Sequence, residues 1–233
     1  MIFRFKQFSV SHANSSMKVG TDAVIIGSWA DVKNSQTILD IGTGSGIIAL
    51  MMAQKNSEAQ IKAIDIDEDS IHEASQNFEQ SAWSERLEAE CIAFQNFGLN
   101  YQNHFDHIIS NPPFFSKSTP APEKARHNAR HTDTLTADDF FKNSKLLLTK
   151  SGKISLIIPF YTSNDWIKTA EKYNLFPSRI TNVISYPDKP IERILIEFLN
   201  KKSSFEAKEF YIRKGKGLGY SDDYVELTNN FYL

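Results

Sequence analysis

The chain has 233 residues, 41% hydrophobic and 23% charged, enough to bury one sizeable core and too apolar for a disordered or fibrous protein. A net charge of −2 argues against a uniformly basic surface, and the single cysteine, Cys91, excludes an internal disulfide and a cysteine-cluster metal site. Cys91 itself reads as a small buried hydrophobe.

Charge is unevenly spread. Residues 1–21 hold three Lys/Arg and no acid, 116–131 hold four against one, and 200–216 hold six against two. Together these segments carry +10 and leave −12 for the remainder. A near-neutral total can therefore conceal a basic face able to hold phosphates. No apolar run approaches the roughly 20 residues of a membrane span. The start, MIFRFKQFSV, alternates like a strand and lacks a signal-peptide core, so a cytoplasmic location is expected.

After that start, residues 23–30 suit a helix, with Thr21 or Asp22 as its N-cap. Apolar runs predict strands at 37–41 and 60–65, with a helix from about Gly46 to Gln54 between them. A helix follows over 70–80, with Ile71, Ala74, Ser75 and Phe78 as its buried stripe. A short strand is predicted at 87–91, another at 105–109, a helix at 136–148, and a strand at 153–158 that is apolar on both faces and so central. A helix at 162–173 precedes strands at 180–186 and 191–199, whose four-residue link, 187–190, makes them an antiparallel pair. The expectation is an α/β fold, a doubly wound, mostly parallel, seven-stranded sheet ending in an antiparallel hairpin, as one domain over 1–233.

Two turns carry the chemistry. In ILDIGTGSGIIAL, a strand ending in Asp40 runs into Gly42, Gly44 and Gly46 and then a helix, a geometry that lets backbone N–H groups approach a ligand. The acid before the first glycine would repel a pyrophosphate and suits an ammonium-bearing, amino-acid-like ligand. Asp65 ends the next strand, about 20 residues on, where a carboxylate can accept from ribose hydroxyls. The second turn is Ser110-Asn111-Pro112-Pro113-Phe114, directly after the 105–109 run. An Asn oxygen and a rigid Pro carbonyl can accept both N–H bonds of a conjugated amino group and hold its nitrogen in line for attack. Phe114 can stack on a planar substrate.

These motifs resemble the class I S-adenosylmethionine-dependent methyltransferases, LDIGTGSG and AIDID being like their first and second motifs. The resemblance implies a Rossmann-like fold, S-adenosyl-L-methionine as cofactor, and adenine contacts from Cys91 and Ile92, although an acid commonly fills the Cys91 position. Asn-Pro-Pro-Phe is similar to the loop of methyltransferases acting on amino groups of adenine, guanine or protein glutamine. Three further stretches, MKVGTD over 17–22, ARHNARH over 125–131 and YSDDYVELTNNFYL over 220–233, resemble the family that methylates an adenine amino group in valine tRNA next to the anticodon.

That likeness implies tRNA as partner, with no DNA, membrane or metal. It implies an N-terminal extension, 1–32, that brings Lys18, Thr21 and Asp22 over the cofactor. It also implies a C-terminal extension, 203–233, and phosphate contacts from Arg126, Arg130 and His131, continued by Lys214 and Lys216. The rival readings are a glutamine methyltransferase of release factors, a guanine methyltransferase of ribosomal RNA, and a non-catalytic RNA-binding module.

Overall fold

Along the central strands successive side chains enter two different cores, as the two-residue period of a strand requires. Ile38 joins one cluster and Leu39 and Ile41 the other; likewise Ile157 faces one and Ile154, Leu156 and Ile158 the other. Both faces of the sheet must therefore be covered by helices. The computed structural model describes residues 2–13, 19–98, 101–112 and 135–232.

The strands are β1 (Ile2–Arg4), β2 (Ser9–Ser11), β3 (Thr37–Ile41), β4 (Gln60–Asp65), β5 (Leu87–Cys91), β6 (Phe105–Ser110), β7 (Leu148–Pro159), β8 (Phe176–Ile184), β9 (Arg193–Leu199) and β10 (Lys208–Tyr211). β1 and β2 form a separate antiparallel hairpin. The other eight make one sheet, in the order β10-β8-β9-β7-β6-β3-β4-β5. β9 is antiparallel to both neighbours, β7 and β8, while every other pairing is parallel. The closing antiparallel pair stands as expected. The expected seven strands become eight, because the mostly exposed edge segment Lys208–Tyr211 pairs alongside β8.

One face carries α1 (Thr21–Trp29), α2 (Ile47–Lys55) and α3 (Glu68–Glu79). The other carries α4 (Phe94–Phe97), α5 (Ala137–Leu147) and α6 (Ser163–Lys172). A last helix, α7 (Asp222–Thr228), joins the first face through Tyr224. Among these helices, α3, α5 and α7 begin with side-chain caps: Asp67 accepts from Ser70 N at 3.1 Å, Thr136 from Asp139 N at 3.1 Å and Ser221 from Tyr224 N at 3.0 Å.

α1 departs from expectation: its N-cap is Gly20, with no side-chain cap bond. Thr21 and Asp22 lie inside the first turn, and the Asp22 carboxylate is taken by Arg193 Nε at 2.9 Å. The chain ends share a core. Phe5 stacks on Phe8 and on Tyr232, and Lys6 N donates to Phe231 O at 2.8 Å.

Candidate active site

Strand order reverses at β3, with β4 on one side and β6 on the other, and open α/β sheets bind ligands at the carboxyl ends of such strands. Ile41 pairs with Ser110 and Asp65 with Cys91, so the ends of β6, β3, β4 and β5 form one rim. Ser110 Oγ donates to Ile41 O at 2.7 Å, tying together the strands from which both turns spring. The glycine turn and Asn111 thus leave adjacent strands on the same edge, about 5 Å apart at the strand spacing.

The glycine turn is held by backbone and by two acids. Gly42 N and Thr43 N both donate to Ile64 O, at 2.9 and 3.1 Å, and Gly44 N donates to Asp65 Oδ2 at 2.9 Å. Gly46, at φ +82°, is left-handed, and a Cβ there would lie 2.5 Å from the Phe78 ring, so α3 can close on the turn only over a glycine. Gly44, at φ +54°, faces open space, where a ligand can approach the backbone.

Asp40 lies beneath this turn and is fully buried. Thr43 Oγ1 donates to its Oδ2 at 2.7 Å, while Oδ1 has no well-formed hydrogen bond. Burial pushes the carboxyl up to about 7, helped by the charge of Asp65 and opposed by the Thr43 hydroxyl and the Ala49 N–H. Asp40 therefore acts on the crevice through the turn it supports.

Asp65 takes Gly44 N–H on one oxygen and Asp67 N–H, at 3.1 Å, on the other. Burial raises its pKa against the pull of those N–H groups. Beside it Ile66 is 56% exposed, an apolar surface at the crevice that sequence reasoning passed over. Cys91 is exposed too, contrary to the buried position its residue type suggested, and its thiol points weakly at Ile66 O, 3.7 Å away. It ends β5 on the rim, where there is no core to enter. Ile92 is half-buried, with its N–H on Asp65 O at 2.9 Å.

The N-terminal segment is joined to the same turn by two buried polar residues of α3, Glu73 and Asn77. Ser11 Oγ and Ala13 N donate to Glu73 Oε1 at 3.0 and 2.7 Å. Asn77 accepts from Ser11 N at 2.8 Å and donates to Ser11 O and Ser45 O, at 2.9 and 2.8 Å. His12 Nδ1 accepts from Val19 N at 3.1 Å, so residues 12 and 19 are brought together. The buried stripe of α3 is consequently Ser70, Glu73, Ala74, Asn77 and Phe78, with Ile71 and Ser75 only half-buried. The i, i+4 spacing of Glu73 and Asn77, beside Ala74 and Phe78, was the available signal.

On the acceptor side, Asn111 is half-buried and Pro112 buried at the exit of β6. Lys18, Pro113, Phe114, Arg126, Arg130 and His131 lie outside the described residues. Thr21 is exposed, and Asp22 is engaged with Arg193, which pairs with Pro159 at the carboxyl end of β7. The 200–216 stretch is divided: Lys201 and Lys202 follow β9 at the amino edge, and β10 carries the chain across to Arg213, Lys214 and Lys216 at the carboxyl edge. Lys214 pairs with Asp222 at 2.7 Å in the open, a contact worth at most about 1 kcal/mol. Lys216 is exposed. On the far edge a hollow lined by Gln60, Lys62, Arg86 and Tyr101 has its Lys62 matched by Glu88 and Glu90.

The methyltransferase small domain model matches residues 12–165, the span that contains both turns. The tRNA1(Val) (adenine(37)-N6)-methyltransferase of Bacteroides fragilis is 39% identical over 232 residues, 99% of this chain and 97% of that protein. The Flavobacterium johnsoniae protein of the same name is 39% identical over 234 residues, covering 100% and 99%.

The chain belongs to this methyltransferase family.

A solved structure from Agrobacterium tumefaciens, described as a predicted O-methyltransferase, superposes with TM-score 0.68 at 18% identity, over 90% of this chain and 96% of that one. At that identity the likeness concerns the fold. The family model stops in the first turn of α6, whereas the full-length relatives also span β8 to α7, the part that brings Arg193 and Lys214 to the rim.

Proposed function

We propose that this methyltransferase moves a methyl group from S-adenosyl-L-methionine to the exocyclic amino nitrogen of an adenine in the anticodon loop of valine tRNA, and does so in the cytoplasm, where tRNA is the available substrate. The observation that carries the reading is the Ile41–Ser110 pairing, which gives the glycine turn and Asn111 a common rim, in a chain 39% identical to two curated tRNA1(Val) enzymes.

The residues present fit the cofactor. Gly42, Gly44 and Gly46, at φ +70°, +54° and +82°, present a turn with open space beside Gly44, suited to the amino-acid end. Asp65 retains acceptor capacity for ribose hydroxyls beyond its two N–H bonds. Ile66, Cys91 and Ile92 offer the surface for adenine; Lys18, Thr21 and Asp22 close from the N-terminal side. When bound, the cofactor supplies an electrophilic methyl on a positively charged sulfur.

The protein's own task is to orient the nitrogen. Asn111 Oδ1 and the Pro112 carbonyl accept the two amino N–H bonds, so the nitrogen lone pair leaves conjugation and turns toward the methyl. Asn111 would remain neutral throughout: the N–C bond would form as the methyl leaves sulfur, and the methylated nitrogen would then release a proton to water. Pro113 stiffens the loop and Phe114 stacks on the extruded base. An unpaired loop base is cheaper to extrude than a paired one. Arg126, Arg130, His131, Lys214 and Lys216 hold phosphates around it.

The test is incubation with methyl-labelled cofactor and total RNA or total protein, followed by digestion. Label in N6-methyladenosine from valine tRNA is the expected result; label in methylguanosine or methylglutamine overturns it.

A further inference from the structure

β7 runs parallel to β6 with Leu156 opposite Ser110, then continues three residues to Pro159. The chain leaves it as a single 3-10 turn, Phe160–Thr162, alongside the exit of Asn111 and Pro112. Two aromatic rings stand on that turn in the open, Phe160 at 42% and Tyr161 at 70% exposure. Neither ring makes an aromatic or cation–π contact, and the Tyr161 hydroxyl makes no hydrogen bond, among the described residues. The aromatic residues of the neighbouring core behave oppositely: Phe140, Phe141 and Phe198 are fully buried.

The exposure is not looseness. Phe160 N donates to Glu192 O at 3.1 Å, Thr162 Oγ1 to Pro159 O at 2.8 Å and Ser163 Oγ to Phe160 O at 2.7 Å. A proline precedes the turn and fixes its entry. The backbone under both rings is thus set before anything binds, which removes part of the ordering cost of a contact.

Further along the same carboxyl edge, rings and cations alternate. Lys189 lies over Tyr186 at 5.5 Å in the β8–β9 link, and Arg213 over Tyr220 at 4.9 Å after β10, with Lys214 and Lys216 beside them. Tyr220 is exposed and Tyr186 half-buried. Accessible rings interleaved with cations are what a single-stranded nucleic acid requires: a π-face for a base and a charge for its phosphate.

We propose that the Phe160–Tyr161 turn is a stacking platform for an unpaired nucleotide flanking the methylated base in the RNA loop. The proposal rests on the tRNA reading and adds a recognition element to it. Asn111 takes hold of the reacting base, and the neighbour that would otherwise stack on that base finds a replacement surface on the protein. The platform therefore contributes to RNA binding and to the choice of flanking nucleotide, while the geometry of methyl transfer stays with the Asn111 loop.

The test compares the parent protein with F160A/Y161A, Tyr161→Phe and Leu146→Ala on an anticodon stem-loop RNA with saturating cofactor. Leu146 is a similarly exposed apolar residue at the end of α5, on the amino edge. The double alanine variant should raise KM for the RNA about tenfold or more, as loss of base stacking does, with kcat nearly unchanged. Tyr161→Phe and Leu146→Ala should both match the parent. In parallel, 2-aminopurine placed beside the target adenine should be quenched on binding to the parent and stay bright with the double variant. A folded double variant with parental KM and parental quenching overturns the platform and leaves the tRNA reading standing. A parent protein that fails to methylate the RNA overturns both.

Discussion

The two halves of the crevice are built by different means. On the cofactor side, β3, β4 and the turn between β3 and α2 satisfy one another over short distances in the chain: Asp40 with Thr43, Asp65 with Gly44 and Asp67. On the acceptor side, the rim is assembled from strand exits spread through the later part of the chain: Asn111 after β6, Phe160 after β7 with its N–H on Glu192 O, and Lys214 and Lys216 after β10. A binding surface for a common cofactor can be encoded locally, whereas a surface for one particular RNA has to be collected from segments far apart in the chain. Damage should therefore separate into two classes, one read in cofactor affinity and the other in the RNA.

The largest expected effect falls on the acceptor side. Asn111→Ala should lower turnover on the order of 10²–10³, as loss of an oriented hydrogen-bonding group does, while calorimetric cofactor affinity stays near parental. Parental turnover would remove Asn111 from the mechanism. Next, Asp65→Ala should raise the cofactor Kd about 10- to 100-fold, as expected for lost charge-assisted hydrogen bonds, with kcat at saturating cofactor largely preserved. If kcat falls instead and Kd does not move, the division between the halves is wrong.

Asp40 gives an effect of another kind, read in stability against pH and not in turnover or affinity. Its carboxyl rises from 3.8 to about 7 on folding, so between those values the folded protein holds a proton that the unfolded chain has lost. Stability should fall as pH rises through that window, by at most about 1.4 kcal/mol per unit, and level off above it. Asp40→Asn should flatten that part of the profile in denaturant titrations run at several pH values. The smallest effect is on the RNA track: Lys216→Ala should reduce the slope of log affinity against log salt by about 1 and weaken all RNA sequences alike.

Much of the frame was legible because apolar runs bounded by turn residues are unambiguous. Gln60–Asp65 and Leu87–Cys91 form as strands over the expected residues, and both functional turns follow the strands that were expected to present them. What escaped depended on partners remote in sequence or on local context. Asp22 reads as a helix cap until Arg193 claims it. Lys208–Tyr211 gives no strand signal because only Phe210 of its four residues is buried. Glu73 and Asn77 look like surface residues of α3 until Ser11 and Ala13 bring backbone groups that need partners. The exposure of Ile66, just past β4, and of Phe160 and Tyr161, just past β7, has no signal in side chains whose apolar character suits a core equally well.

The pairing of the chain's two extremities bears on how the molecule is made. Lys6 reaches Asn229 and Phe231, and Phe5 and Phe3 lie against Tyr232, contacts that span almost the entire polypeptide. During synthesis the β1–β2 hairpin emerges long before its seat at Asn229–Tyr232. The segment that Glu73 and Asn77 hold beside the glycine turn gains this second support only once residues 229–232 have cleared the ribosome.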